Sequence, residues 1–271
     1  MRCNFNIINR RELVFNVLVY IIAFIILSPI IVILILSFSS SGFNWPPSGF
    51  TLKWYIDALG CKGFITGMFV SFKLGIVSSL IATALGTMVS FALARYHFRG
   101  KEFLNIIFMS PLMIPGVISG LAIFMFLSRY GIRGGIFSLI IGHTIIIAPF
   151  SLRLVTAGLQ RFDRSLEEAA INIGAGSAKV FTSITLPLVR TAVISGLLLS
   201  FISSWNNFVL SLFLAGPDAY PLPLRLYDYI HFEWSPVVLA LASIFIFVSG
   251  VIIIIIDRTV GINVAMGTTK Q

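Results

Sequence analysis

Charge is what this sequence has least of. Lys, Arg, Asp and Glu make up 11% of its 271 residues and hydrophobic residues 58%, whereas a soluble domain carries about 25% charged residues. A soluble globule could not dispose of that much apolar surface. Cysteine is nearly missing too: Cys3 and Cys61 flank the first long apolar block and could not meet if that block spans a membrane, so no disulfide framework is implied. The three histidines form no H-E-x-x-H pattern, and no nucleophile elbow occurs, which removes support for intramembrane catalysis. FRGKEF holds Gly100 and Lys101 but lacks the earlier glycine and the following Ser or Thr of a phosphate-binding loop. No Pro/Ser-rich linker or charge-only tract interrupts the chain, so residues 1–271 read as a single transmembrane domain with 1–12 as a cytoplasmic N-terminal segment.

Long apolar runs take the place of charge. Roughly 20 apolar residues cross a bilayer core of about 30 Å. The candidate spans are Leu13 to Phe38, Phe64 to Leu93, Phe103 to Leu127, Ile136 to Val155, Leu188 to Leu214 and Val237 to Ile256. They are continuous rather than alternating, so the expected fold is all-α, a polytopic membrane protein of about six transmembrane helices. Leu13 to Leu36 exceeds the apolar core of a signal peptide and is followed by no small-x-small cleavage site, so it is expected to remain as the first span.

The formal charge of +9 could suggest nucleic acid, but the basic residues sit at the ends of apolar blocks rather than on one soluble face, and nucleic acid is not an expected partner. Arg2, Arg10, Arg11, Arg95, Arg99, Lys101, Arg153, Arg161, Arg164, Lys179, Arg190, Arg258 and Lys270 fall on one side of a six-span arrangement. Lys53, Lys62, Lys73, Arg129, Arg133 and Arg225 fall on the other. That bias predicts both termini in the cytoplasm. Ser39 to Gly63 and Ala215 to Pro236 become external loops, and Thr156 to Pro187 the longest cytoplasmic connection.

That connection contains SLEEAAINIGAGSAKVFTSITLP, Ser165 to Pro187. Ser165 and Glu168 have the spacing of a capping box, which predicts a short helix starting there. Leu166, Ala169, Ala170 and Ile173 form a small apolar stripe at helical spacing. Gly174 is a C-terminal stop, and a second helix is expected to start near Ser177. Glu168, Ala169, Ala170, Gly174, Ile184, Leu186 and Pro187 fill every fixed position of E-A-A-x3-G-x9-I-x-L-P. On this motif the chain resembles the permease subunits of type I, binding-protein-dependent ABC importers. Phe43 to Leu59 and Ala94 to Phe103 resemble their first external loop and first cytoplasmic turn.

The resemblance implies that residues 156–187 form a coupling loop that docks in a cleft of an ATPase subunit. It also implies two ATP-binding cassette ATPase subunits, a second permease that is a different chain, and a periplasmic or extracellular solute-binding protein. The setting implied is the bacterial inner membrane. ATP and Mg would act on the partner ATPase, with no cofactor bound by this chain.

Polar groups inside a span are costly and face a cavity or another helix. Ser203, Ser204, Trp205, Asn206 and Asn207 are the densest such set and, with His143, the candidate solute path; interhelical hydrogen bonding is the alternative for each. Ser110, Pro111, Pro115, Gly116 and Thr144 are weaker candidates. Gly216 to Ile230 and Ser235 to Ile244 resemble the polyamine-type permease subgroup, which imports spermidine or putrescine. Asn206 and Asn207 stand where that subgroup often carries acids, and SWNNF resembles sugar-importer permeases instead. The expected solute is thus polyamine-like, with a sugar, opine or phosphonate as the alternative. An ion-coupled secondary transporter is the competing class, although no Asp or Glu lies at the centre of a predicted span.

Overall fold

A computed structural model describes residues 10–233 and 235–260. Arg2, Cys3 and Lys270 lie outside the described residues, as does most of the segment 1–12. The chain forms two compact units, one of Met1–Cys61 with Tyr229–Ile246 and one of Lys62–Asp228 with Phe247–Gln271.

In the first unit, α1 (Arg10–Ser37) is an apolar rod whose most hydrophobic stretch buries nothing within the protein. Such a surface is stable only against lipid or another protein. The chain then turns back on itself. Ser37 Oγ meets Tyr55 Oη at 2.7 Å, Trp54 Nε1 donates to the Ser39 carbonyl at 2.9 Å, and Phe38 stacks on Phe50 at 5.6 Å. These contacts fold α2 (Lys53–Gly60) against the end of α1.

The second unit is built on α3 (Lys62–Arg95), α6 (Ile136–Gln160) and α9 (Leu186–Trp205). Small residues let these helices approach to backbone contact. A β-carbon on Gly86 would stand 2.9 Å from the Leu152 nitrogen, and one on Gly196 would stand 3.0 Å from Ser151 Cα. Hydroxyls join the helices at the same level: Ser151 Oγ lies 2.9 Å from both Thr83 Oγ1 and Ser200 Oγ, and Ser90 Oγ donates to the Leu152 carbonyl at 2.9 Å. In lipid, where apolar burial between helices gains little, close packing and interhelical hydrogen bonds are what hold spans together.

Among the described residues, five helices are long and apolar enough to cross a membrane: Glu12–Ser37, Lys62–Arg95, Ile136–Gln160, Ser177–Trp205 and Val237–Ile255. The third expected span is not one rod. It is α4 (Lys101–Met109) with a 3-10 turn at Ser110–Leu112, then α5 (Gly116–Arg129), bent by 108° between them. Pro111 and Pro115 explain the break, since each lacks an N–H and its ring opposes the preceding helical turn. The fifth expected span is also divided. α9 ends at Trp205 and α10 (Phe208–Leu214) restarts after Asn206 and Asn207. The sixth appears as α12 (Val237–Val260), preceded by α11 (Leu222–Asp228).

Candidate functional site

Between α6 and α9 the chain forms α7 (Ser165–Asn172), then α8 (Ser177–Val180), and a π turn at Phe181–Thr185 that runs on into α9. The start of α7 differs from the expected capping box. Ser165 is already helical, its predecessor Arg164 has helical dihedrals, and no side chain caps the helix from that position. Asp163, two residues upstream, takes the exposed amide instead, its Oδ1 accepting from the Ser165 N–H at 2.9 Å. Hydrogen bonds from the Ser165 backbone and then its side chain hold the Asp163 carboxyl below its usual value. Glu168, freed from capping, is exposed and pairs with Arg164 at 3.1 Å, one turn back.

Gly174 does stop the helix, with φ +91°. The Ala175 N–H reaches the Ala170 carbonyl at 3.0 Å and the Gly174 N–H reaches Ile171 at 2.9 Å, the paired bonds of a Schellman motif. The π turn answers to Pro187. An α-helical register would press its ring on the Ser183 carbonyl, and the wider turn, in which the Leu186 N–H goes to the Phe181 carbonyl, relieves that clash.

All of the apolar stripe but Ala170 faces outward. Leu166 is 50% exposed and Ile173 87% exposed, and Ala169 is exposed as well. The buried face is formed by Ala170 and Glu167, a residue that sequence reading passed over. Glu167 Oε2 lies 2.6 Å from Arg95 Nε, a contact set by charge rather than by a straight N–H···O line. Its Oε1 accepts from Thr185 Oγ1 at 2.6 Å. The remaining motif residues Ile184 and Leu186 are half-buried and Pro187 is exposed. The loop therefore presents Glu168, Leu166, Ala169 and Ile173 to the outside while Glu167 and Ala170 tie it down.

The second candidate cluster lies at the break between α9 and α10. His143 is fully buried, with Nδ1 2.8 Å from Ser204 Oγ. Trp205 is buried, stacks at 6.2 Å on Phe201 and donates from Nε1 to Ser249 Oγ at 3.1 Å. Asn207 Oδ1 caps α10 by accepting from the Leu210 N–H at 3.0 Å, and Asn206 Nδ2 returns to the Ile202 carbonyl at 3.2 Å. Of the six residues proposed for a path, Asn206 is exposed, Ser203 and Asn207 are half-buried, and His143, Ser204 and Trp205 are enclosed. The second break lies beside the first. Gly116, which opens α5, lies against Val209 in the first turn of α10, where an added β-carbon would stand 3.6 Å from Val209 Cγ1, an ordinary contact. Among the described residues no His, Cys, Asp and Glu gather in a group that could hold a metal ion.

Known proteins match this architecture. The spermidine/putrescine transport system permease protein PotC of Escherichia coli K12 is 35% identical over 83% of this chain and 86% of its own length. The putrescine transport system permease protein PotI of the same organism is 29% identical over 83% of each. A crystal structure of a bacterial ABC transporter involved in alginate import superposes with a TM-score of 0.73 at 20% identity, covering 96% of this chain and 98% of that one, which is a likeness of fold. The family model described as "Binding-protein-dependent transport system inner membrane component" matches residues 82–261. By these matches the chain belongs to that family, the membrane-spanning permeases of ABC importers.

Proposed function

We propose that this chain imports a small polyamine-like cation across the bacterial inner membrane, working with a second, different permease, two ATPase subunits and an external solute-binding protein. ATP hydrolysis is supplied by the ATPase subunits, and both termini lie in the cytoplasm. The observation that carries the solute class is the 35% identity to a spermidine/putrescine permease over most of both chains. The geometry is compatible with it. α9 ends beside exposed Asn206, and the carbonyl end of a helix carries roughly half a negative charge, as suits a solute rich in N–H donors. Exposed Leu166 and Ile173 support the docking role of residues 156–187, since an apolar helix face outside the bilayer is stabilised by a protein partner.

The test is uptake of labelled spermidine by vesicles containing the assembled transporter. ATP-dependent uptake that survives a proton ionophore and is competed by putrescine is expected. Uptake that persists without ATP and stops with the ionophore would overturn the proposal in favour of an ion-coupled carrier. ATP-driven uptake of a sugar or phosphonate, indifferent to spermidine, would move the chain to the alternative solute class.

A further inference from the structure

One ion pair holds four elements of the cytoplasmic end together. Arg95 is the last residue of α3, Glu167 sits in the first turn of α7, and Thr185 closes the π turn ahead of α9. The end of α6 completes the set, because Arg95 also reaches the Leu159 carbonyl at 3.5 Å and lies over the Phe162 ring at 5.3 Å. Leu159 is within the last turn of α6, where carbonyls have no intrahelical partner and favour a cation. The side chains of Arg95 and Glu167 are only 11% and 7% exposed. A carboxylate that buried needs a partner for each oxygen, and here Arg95 and Thr185 supply them.

α7 has few other attachments. Its larger apolar side chains, Leu166 and Ile171, face outward, as does Ile173 just past its end, and besides Glu167 only Ala170 is buried. A force applied to the outward face therefore reaches the long helices chiefly through Glu167. The π turn serves the same joint, since it directs Phe181 onto Phe91 of α3 at 5.0 Å between ring centroids and Thr185 onto Glu167. An apolar contact can slide or part at low cost. A buried ion pair cannot, because separating it strands a charge.

We propose that Arg95, Glu167 and Thr185 form the joint that carries movement of the docking helix α7 to α3 and α9, with Glu167 as its central positioning residue. The inference rests on reading residues 156–187 as the ATPase-docking loop. It assigns transmission to Glu167, which faces inward, and leaves contact with the ATPase to the outward residues beside it.

The experiment uses the chain assembled with its partner permease, ATPase and binding protein in liposomes. The variants are Glu167→Gln, Arg95→Gln and the exchange Arg95→Glu with Glu167→Arg, and the readouts are ATPase copurification, basal hydrolysis and solute moved per ATP. Each single variant is expected to keep the ATPase bound with basal hydrolysis within about twofold, while solute moved per ATP falls by about tenfold or more, as loss of one partner of a buried pair implies. The exchange restores the ion pair but not the contacts of Arg95 with Leu159 and Phe162 or the bond from Thr185, so it is expected to recover part of that loss, which a merely space-filling role would not produce. Unchanged transport per ATP in both single variants would overturn the proposal. So would a loss of ATPase binding in them that the exchange fails to reverse. The docking reading fails separately: Leu166→Ser with Ile173→Ser should release the ATPase. If it does not, that reading is wrong, and the joint is still judged by the transport ratio of the charge variants.

Discussion

Gly174 and Gly176 lie two residues apart in the same loop, and a β-carbon on either would meet nothing within 4 Å. They differ in backbone. Gly174 has φ +91°, while Gly176 has φ −69° and ψ 152°, extended values that valine favours. Valine at 174 adds no clash with neighbours and acts only through the left-handed conformation, which costs an ordinary residue about 1–2 kcal/mol, with a β-branched one at the upper end. At about 2 kcal/mol the population that keeps the turn falls roughly 30-fold relative to its alternatives. Both Schellman bonds go with it, and α8 loses its direction from α7. Gly174→Val is therefore expected to depress uptake and solute-stimulated ATP hydrolysis by about 30-fold, and Gly174→Ala by about fivefold. Gly176→Val should stay within about twofold of the unaltered protein, the usual range for an exposed site. Uptake and stimulated hydrolysis are measured in vesicles with the membrane level of each variant matched by immunoblot. If Gly174→Val and Gly176→Val behave alike, the backbone argument for this loop is refuted.

Two further predictions concern the path and the orientation. Asn207→Ala removes the cap of α10 and should lower the thermal stability of the purified complex, the lost cap costing about 1 kcal/mol. Asn207→Asp keeps the acceptor, so stability should hold while the apparent KM for a cationic solute shifts; equal stability in the two variants would count against the cap. For orientation, both native cysteines, Cys3 and Cys61, must first be replaced. In that background a cysteine at exposed Ser177 should resist an impermeant thiol reagent added outside right-side-out vesicles, and one at exposed Pro217 should react, with the reverse pattern overturning the proposed topology. Ala219, in the same loop as Pro217, is 1% exposed and would stay unlabelled on either side.

Hydropathy located the apolar runs because bilayer thickness imposes a length on them, but it could not show where the backbone inside a run departs from a helix. The break after Leu112 was signalled by Pro111, Pro115 and Gly116, residues that register in a sequence as weak polar or small-residue candidates. At the start of α7, Ser165 and Glu168 matched a capping pattern, yet Asp163 stood closer to the open amide and took it. The inward turn of Glu167 was not legible at all, since what selects it over Glu168 is Arg95, 72 residues earlier in the chain and adjacent only after folding. Gly174 was legible because its requirement is local: the left-handed conformation is a property of one residue.

The two broken spans bear on how the polar cluster is to be understood. Interrupting a helix exposes backbone groups that hydrocarbon cannot satisfy, so non-helical backbone at membrane depth is tolerated only within protein or beside water. Asn206 and Asn207 meet part of that demand themselves, through Asn206 Nδ2 on the Ile202 carbonyl and Asn207 Oδ1 on the Leu210 N–H. Their polarity is to that extent structural and does not by itself require a solute. What local satisfaction does not explain is why the second break, before Gly116, should lie against the first turn of α10, when either span could have been bent elsewhere. The two interruptions thus lie side by side, next to exposed Asn206. On the proposed reading, that coincidence of breaks, more than the identity of either asparagine, is where a solute would pass, and the asparagines satisfy the helix ends that meet there.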